Sequence, residues 1–152
     1  MKCKQDGCEV LVRIRSDQPK HSGFCISHSH IKRPFESIYN RLFNDWRKIK
    51  VTLTYEEFLE FTKVKNCHYC KTLILWRPYS REKGKHISSA YFLDRKSPQK
   101  PYSKENCVVC CTECNFIKGS RFNYEEFLIV GIAIQTVRQI REWKSAGGRR
   151  GD

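Results

Sequence analysis

The chain has 152 residues, the size of one domain or of one small domain with an appendage. Its apolar fraction of 39% is low for a globular chain, so core burial needs help, and nine cysteines are the obvious candidates. A net charge of +13, from 29 Lys+Arg against 16 Asp+Glu, makes nucleic acid the leading partner.

The N-terminal stretch MKCKQDGCEV is polar and carries cysteines, unlike a signal peptide, and no apolar run approaches a transmembrane length. No basic amphipathic helix with a broad apolar face stands out, so no membrane partner is expected. The cysteines cluster as Cys-x-x-Cys pairs near a histidine, and their number is odd. A reduced, metal-binding, cytoplasmic protein fits that pattern better than a disulfide framework. With two zinc sites of the kind proposed below, seven thiolates and two zinc ions lower the charge by three, to about +10.

Residues 1–33 read as a small zinc knuckle. Cys3 and Cys8 enclose the turn pair Asp6-Gly7, Val10 to Arg15 reads as a short strand, and Ser22-Gly23 turns the chain back into Cys25-Ile26-Ser27-His28. Three thiolates and an imidazole close a tetrahedral zinc site of structural type. His28 is preferred to His21 and His30 as the fourth ligand because two residues separate it from Cys25.

Residues 34–66 form a helical bridge. Phe35, Ile38, Tyr39, Leu42, Phe43, Trp46 and Ile49 recur at three- and four-residue steps after Pro34, the pattern of a buried helical stripe flanked by Arg33, Arg41, Arg47, Lys48 and Lys50. Thr54-Tyr55-Glu56-Glu57 is a capping box that starts a second short helix. Its near-copy, Asn123-Tyr124-Glu125-Glu126, starts the last helix, which runs through Ile129, Ile132, Val137, Ile140 and Trp143.

Residues 67–146 carry the chemistry. Cys67/Cys70 and Cys111/Cys114 are Cys-x-x-Cys pairs with forty residues between them, suited to one four-cysteine zinc site. Cys107/Cys110 has the same internal spacing and competes for that role. The later pair is favoured because Cys114 opens a helix and leads into Asn115. Leu73 to Trp76 and Tyr91 to Leu93 read as strands, Ser97 to Pro101 as a turn, and Cys107 to Val109 as the return strand. The segment from Arg77 to Lys85 reads as an exposed basic loop in which Arg81, Lys83 and Lys85 would meet phosphate, as would Lys118. Residues 147–152 read as a disordered tail.

Leu-Asp-Arg at 93–95, Tyr-Ser-x-x-Asn at 102–106 and Cys-Cys-x-x-Cys-Asn-x-x-Lys-Gly at 110–119 resemble the HNH endonuclease family, in its zinc-containing ββα-metal branch. The Gly-x-Cys-x-x-His at 23–28 is similar to the N-terminal knuckle of phage-type members. The resemblance implies a small α+β fold: a zinc-stabilised ββα-metal core with flanking helices. It implies hydrolysis of phosphodiester bonds in DNA, double-stranded by preference, with RNA the alternative. One such site cuts one strand. A divalent cation, Mg²⁺ or Mn²⁺, would be held by Asp94 and Asn115, while Asn106 would fix the geometry of base and phosphate. The two zinc ions would be structural. A phage or mobile-element setting follows from the same resemblance.

One position departs from the pattern. Arg95 stands where the family usually carries the general-base histidine, and a guanidinium cannot take a proton, although it can clamp a phosphate. His86 and His68 are candidate replacements, and the cation activating water without a protein base is a third route. The rival reading is an inactive, zinc-stabilised nucleic-acid-binding protein with the same fold.

Overall fold

In the computed structural model, residues 1–12, 23–43, 48–78 and 92–148 are described. Among them the chain forms α1 (Ile26–Lys32), α2 (Glu36–Phe43), α3 (Tyr55–Thr62), β1 (Leu93–Arg95), β2 (Cys107–Val109), α4 (Thr112–Lys118) and α5 (Tyr124–Ser145). β1 and β2 pair antiparallel, with Leu93 opposite Val109, Asp94 opposite Val108 and Arg95 opposite Cys107. The fold is therefore a small α+β unit whose sheet is a single hairpin followed directly by a helix.

Local chemistry sets most boundaries. Glu57 N–H donates to Thr54 Oγ1 at 3.1 Å and Thr54 N–H donates to Glu57 Oε2 at 2.8 Å, so the predicted capping box starts α3. Asn123 and Glu126 repeat that exchange at the head of α5, both bonds at 2.9 Å. α2 is shorter than the apolar periodicity predicts: residues 44–47 lie outside the described residues, and by Lys48 the backbone is at φ 49°, which no right-handed helix accommodates. α1 escapes the apolar pattern because it is seven residues long and polar.

Two predicted strands are not strands, and a third is displaced. Val10–Val12 contributes only an isolated bridge, Leu11 to Lys2, and residues 13–15 lie outside the described residues. Leu73–Trp76 contributes only the bridge from Leu73 to Asn66, closing the turn around Cys67–Cys70. There Ile74 is buried while Leu73 and Leu75 are exposed. The first hairpin strand lies later than predicted: Phe92 precedes it, Asp94 is its middle residue and Arg95 ends it.

The main core gathers α2, α3, the hairpin, the Cys67–Cys70 turn and the start of α5 around Tyr39, Phe58, Tyr69 and Phe127. α5 approaches with its backbone: a Cβ on Gly131 would lie 2.8 Å from Tyr69 Cβ and 2.9 Å from its carbonyl carbon. Among the described residues the N-terminal knuckle has a core of its own in Cys3, Val12 and Cys25, with Cys8 and Phe24 packed against it, too little apolar surface to hold a fold without another bond. Of the predicted tail, Gly147 and Gly148 are described and continue the α5 cap, donating to Lys144 O at 3.3 Å and Trp143 O at 3.1 Å.

Candidate metal centres and active site

Both predicted ligand sets assemble. Cys3, Cys8, Cys25 and His28 bring their ligand atoms within 4.8 Å of one another, and so do Cys67, Cys70, Cys111 and Cys114. A tetrahedral zinc with Zn–S bonds near 2.3 Å requires S···S edges of about 3.8 Å and S···N edges of about 3.5 Å. Cys8–Cys25 is 4.0 Å, Cys70–Cys111 is 3.7 Å, and His28 Nδ1 lies 3.5 Å from Cys3 Sγ and 3.3 Å from Cys25 Sγ. The donor types and edges fit zinc at both places, so each group could hold one ion.

The two centres use one device. Cys25 is the N-cap of α1 and His28 stands three residues on; Cys111 is the N-cap of α4 and Cys114 stands three residues on. Each helix start brings its two ligands together, and at α4 it also aims a first-turn N–H at the N-cap sulfur. Cys114 N–H donates to Cys111 Sγ at 3.4 Å, and Cys25 N–H donates to Cys3 Sγ at 3.2 Å. Burial opposes ionisation of Cys3, but the N–H groups of Cys25 and Gln5 and the side chains of His28 and Cys25 bring it down to about 6. Hydrogen bonds from Cys111 and Cys114 hold Cys67 well below the usual thiol range. The Arg138 guanidinium, from α5, reaches Cys70 Sγ at 3.5 Å while pairing with Glu113.

Cys107 and Cys110 do not join either group. Both are buried in the core, and burial pushes their thiols up, Cys107 to about 12.

The hairpin and α4 bring Asp94, Arg95, Asn115 and Lys118 to the wall of one open cavity of about 590 Å³. Asp94 is buried, and its Oδ2 accepts from Tyr69 Oη at 2.6 Å. Burial, and then that bond, push the Tyr69 phenol far above its usual range, so it remains a donor. Asn115 Nδ2 donates toward Leu93 O at 3.5 Å, which aligns the amide with the hairpin strand that carries Asp94.

Lys118 corrects the sequence reading. It is 2% exposed, its Nζ lies 2.9 Å from Asp94 Oδ2, and it donates to Arg95 O at 2.9 Å. A cation so enclosed is a partner of the carboxylate and is not presented to a phosphate. Arg81, Lys83 and Lys85, the other predicted phosphate contacts, lie outside the described residues, as do His21 and His86.

Arg95 and Asn106 act on the loop between the strands. Arg95 Nη1 donates to Pro98 O at 2.5 Å and Lys100 O at 2.9 Å, and its guanidinium lies 5.1 Å from the centre of the Tyr102 ring. From the other strand, Asn106 Oδ1 accepts from Ser97 N–H at 3.0 Å and Nδ2 donates to Ser97 O at 3.0 Å and Pro101 O at 2.9 Å. Tyr102 then ties the loop to the approach of α3 through Tyr102 N–H to Lys50 O at 2.9 Å. His68 does not reach the cavity wall: its Nε2 lies 2.8 Å from Tyr124 Oη and its ring stacks on that tyrosine.

Two residues of the site escape the sequence reading, one behind the cavity wall and one on it. Tyr69 sits between zinc-type cysteines, where its spacing signals nothing beyond filler, yet it holds Asp94. Phe116, directly after Asn115, is 80% exposed at the cavity mouth; its place in the Asn-x-x-Lys run is the signal that could have found it.

No family model and no curated protein matches the chain. Among solved structures it is similar to the rare-cutting HNH restriction endonuclease PacI, over 93% of this chain and 97% of that one, at 22% identity and a TM-score of 0.49. No described helix is long and apolar enough to cross a membrane.

Proposed function

We propose that the protein is a metal-dependent HNH-type endonuclease acting on DNA, with the hairpin and α4 as its catalytic unit and two structural zinc ions as its frame. The observation that carries this reading is the convergence of Asp94 and Asn115, from strand and helix, on one cavity whose rim also presents Arg121. A strongly basic chain brings the polyanion to it.

The donor set fits a hard divalent cation. Asp94 and Asn115 would hold it through carboxylate and amide oxygens, and the ion would stabilise charge on the phosphate and leaving oxygen. Among the described residues Asp94 is the sole carboxylate on the cavity wall, and Lys118 already pairs with it. So few protein donors leave most positions to water and to substrate phosphate, the usual arrangement for Mg²⁺. The chain's own residues do the positioning. Tyr69 and Lys118 hold one carboxylate oxygen, which would leave the other to hold the ion. Asn106 and Arg95 hold the loop against which the scissile strand would lie.

A second reading, a DNA- or RNA-binding module without cleavage, is favoured by one observation: Arg95 is committed to carbonyls of the loop, and among the described residues, which do not include His86, no histidine lines the cavity. Plasmid relaxation with added Mg²⁺ or Mn²⁺ separates the two. Nicking by the wild type that is lost in Asp94→Ala and Asn115→Ala supports the enzyme. Absence of nicking with every metal, alongside retained DNA binding, establishes the module. Cleavage that persists in both variants places the site elsewhere.

A further inference from the structure

α5 has 22 residues and two apolar faces. Phe127 and Gly131 are buried against the core, and Ile134 packs beside them. On the opposite side Ile129, Ile132, Ile140 and Trp143 are 72%, 61%, 47% and 52% exposed. At about 100° per residue these four and Thr136 form one stripe along a helix roughly 33 Å long. Isolated exposed apolar residues are ordinary, but a continuous stripe marks a contact surface.

The stripe also has a symmetry. Its members step by three, four, four and three residues, so reversing the helix end for end superposes the stripe on itself about Thr136. Laid antiparallel against its own copy, Ile129 meets Trp143, Ile132 meets Ile140, and Thr136 meets Thr136. A two-fold interface requires such self-complementarity, because each patch must recognise itself.

Charge selects the same arrangement. Glu125 and Glu126 open α5 and Lys144 closes it, all exposed. Glu126 and Lys144 project along the same edge of the stripe. In the antiparallel pair they face each other within about 3 Å along the axis, on both sides of the two-fold. A parallel pair would set the two acidic ends together, which is unfavourable.

We infer that the exposed face of α5 is a homodimer interface, in which two copies of this chain pair antiparallel about Thr136. The inference rests on α5 alone and holds whether or not the hairpin site cuts DNA. Light scattering coupled to gel filtration of the full zinc-loaded chain tests it. The wild type is expected at twice the 18.1 kDa chain mass at micromolar concentration. Ile132→Glu with Ile140→Glu, both at exposed positions, is expected at the single-chain mass with unchanged zinc content and helicity. Thr136→Cys is expected to form an intersubunit disulfide on mild oxidation, and Glu142→Cys, on the far side of the helix, is not. A monomeric wild type, or a dimer that survives the double substitution, overturns the interface. Cross-linking from Glu142→Cys without cross-linking from Thr136→Cys overturns the register.

Discussion

Lys118 Nζ lies 2.9 Å from Asp94 Oδ2, which also accepts from Tyr69 Oη at 2.6 Å, so one buried carboxylate oxygen joins α4, β1 and the Cys67–Cys70 turn. A carboxylate and an ammonium in that setting are tolerated because each is paired; removing one partner strands the other. The pair is thus part of the fold before it is part of any reaction.

Lys118→Met is therefore expected to destabilise the protein by about 3–5 kcal/mol in urea denaturation, the usual cost of an orphaned buried charge. Adding Asp94→Asn in the same chain should recover a large part of that loss, because neither charge then remains. If Lys118→Met is neutral alone, the ammonium is solvated and the pairing is incidental.

Arg95→Ala is expected to loosen the loop from Ser97 to Tyr102, raising its amide hydrogen exchange about tenfold or more while the Cys67–Cys70 turn is unchanged. Arg95→Lys should recover only part of the order: both carbonyl bonds come from the single nitrogen Nη1, which an ammonium can replace, whereas the planar group over the Tyr102 ring is lost. A fully rigid loop in Arg95→Lys would show that charge alone is needed there.

Much of this was legible in the sequence, for reasons tied to spacing. Cys-x-x-Cys and Cys-x-x-His fix ligands within one helical turn, and capping boxes are local exchanges between residues three apart, so both survived transfer into three dimensions. The strands at 10–15 and 73–76 did not. Apolar runs so short serve equally well in the turns beside a metal ligand, where backbone groups are satisfied by isolated bridges. Lys118 was illegible for another reason: its partner lies twenty-four positions away, and only the fold of α4 over β1 turns a solvent-type residue inward.

The competition between cysteine pairs can be settled by metal content. Cys111→Ser or Cys114→Ser should lower bound zinc from two equivalents per chain to about one, whereas Cys107→Ala and Cys110→Ala should leave it at two. The latter pair should lose stability only as buried small hydrophobes do, by about 1 kcal/mol. Loss of zinc in Cys107→Ala would return that cysteine to the ligand set.

Arg138 stands over the sulfur of Cys70, where a four-thiolate zinc centre carries net negative charge. Replacing it by methionine removes that compensation and is expected to weaken zinc binding about tenfold, read as faster transfer to a chromophoric chelator. The N-terminal knuckle, which lacks this contact, should release zinc at its wild-type rate in the same experiment.

Gly131→Ala improves helix propensity yet sets a methyl group against the backbone of Tyr69. Overpacking of that kind costs about 1–3 kcal/mol, more than the gain of roughly 1 kcal/mol from alanine. A lower thermal midpoint is the expected result, and a higher one would mean that α5 slides freely on the turn.

The hairpin has three residue pairs and its ligands come from both sides of a forty-residue interval. Such a site follows the order of synthesis. Asp94 leaves the ribosome after Tyr69 but before Cys111, Cys114 and Lys118, so its carboxylate lacks its ammonium partner until they follow. The residues that would bind and cut are thus brought together only once α4 has been made, and a product truncated before α4 carries the acid without the frame that arms it.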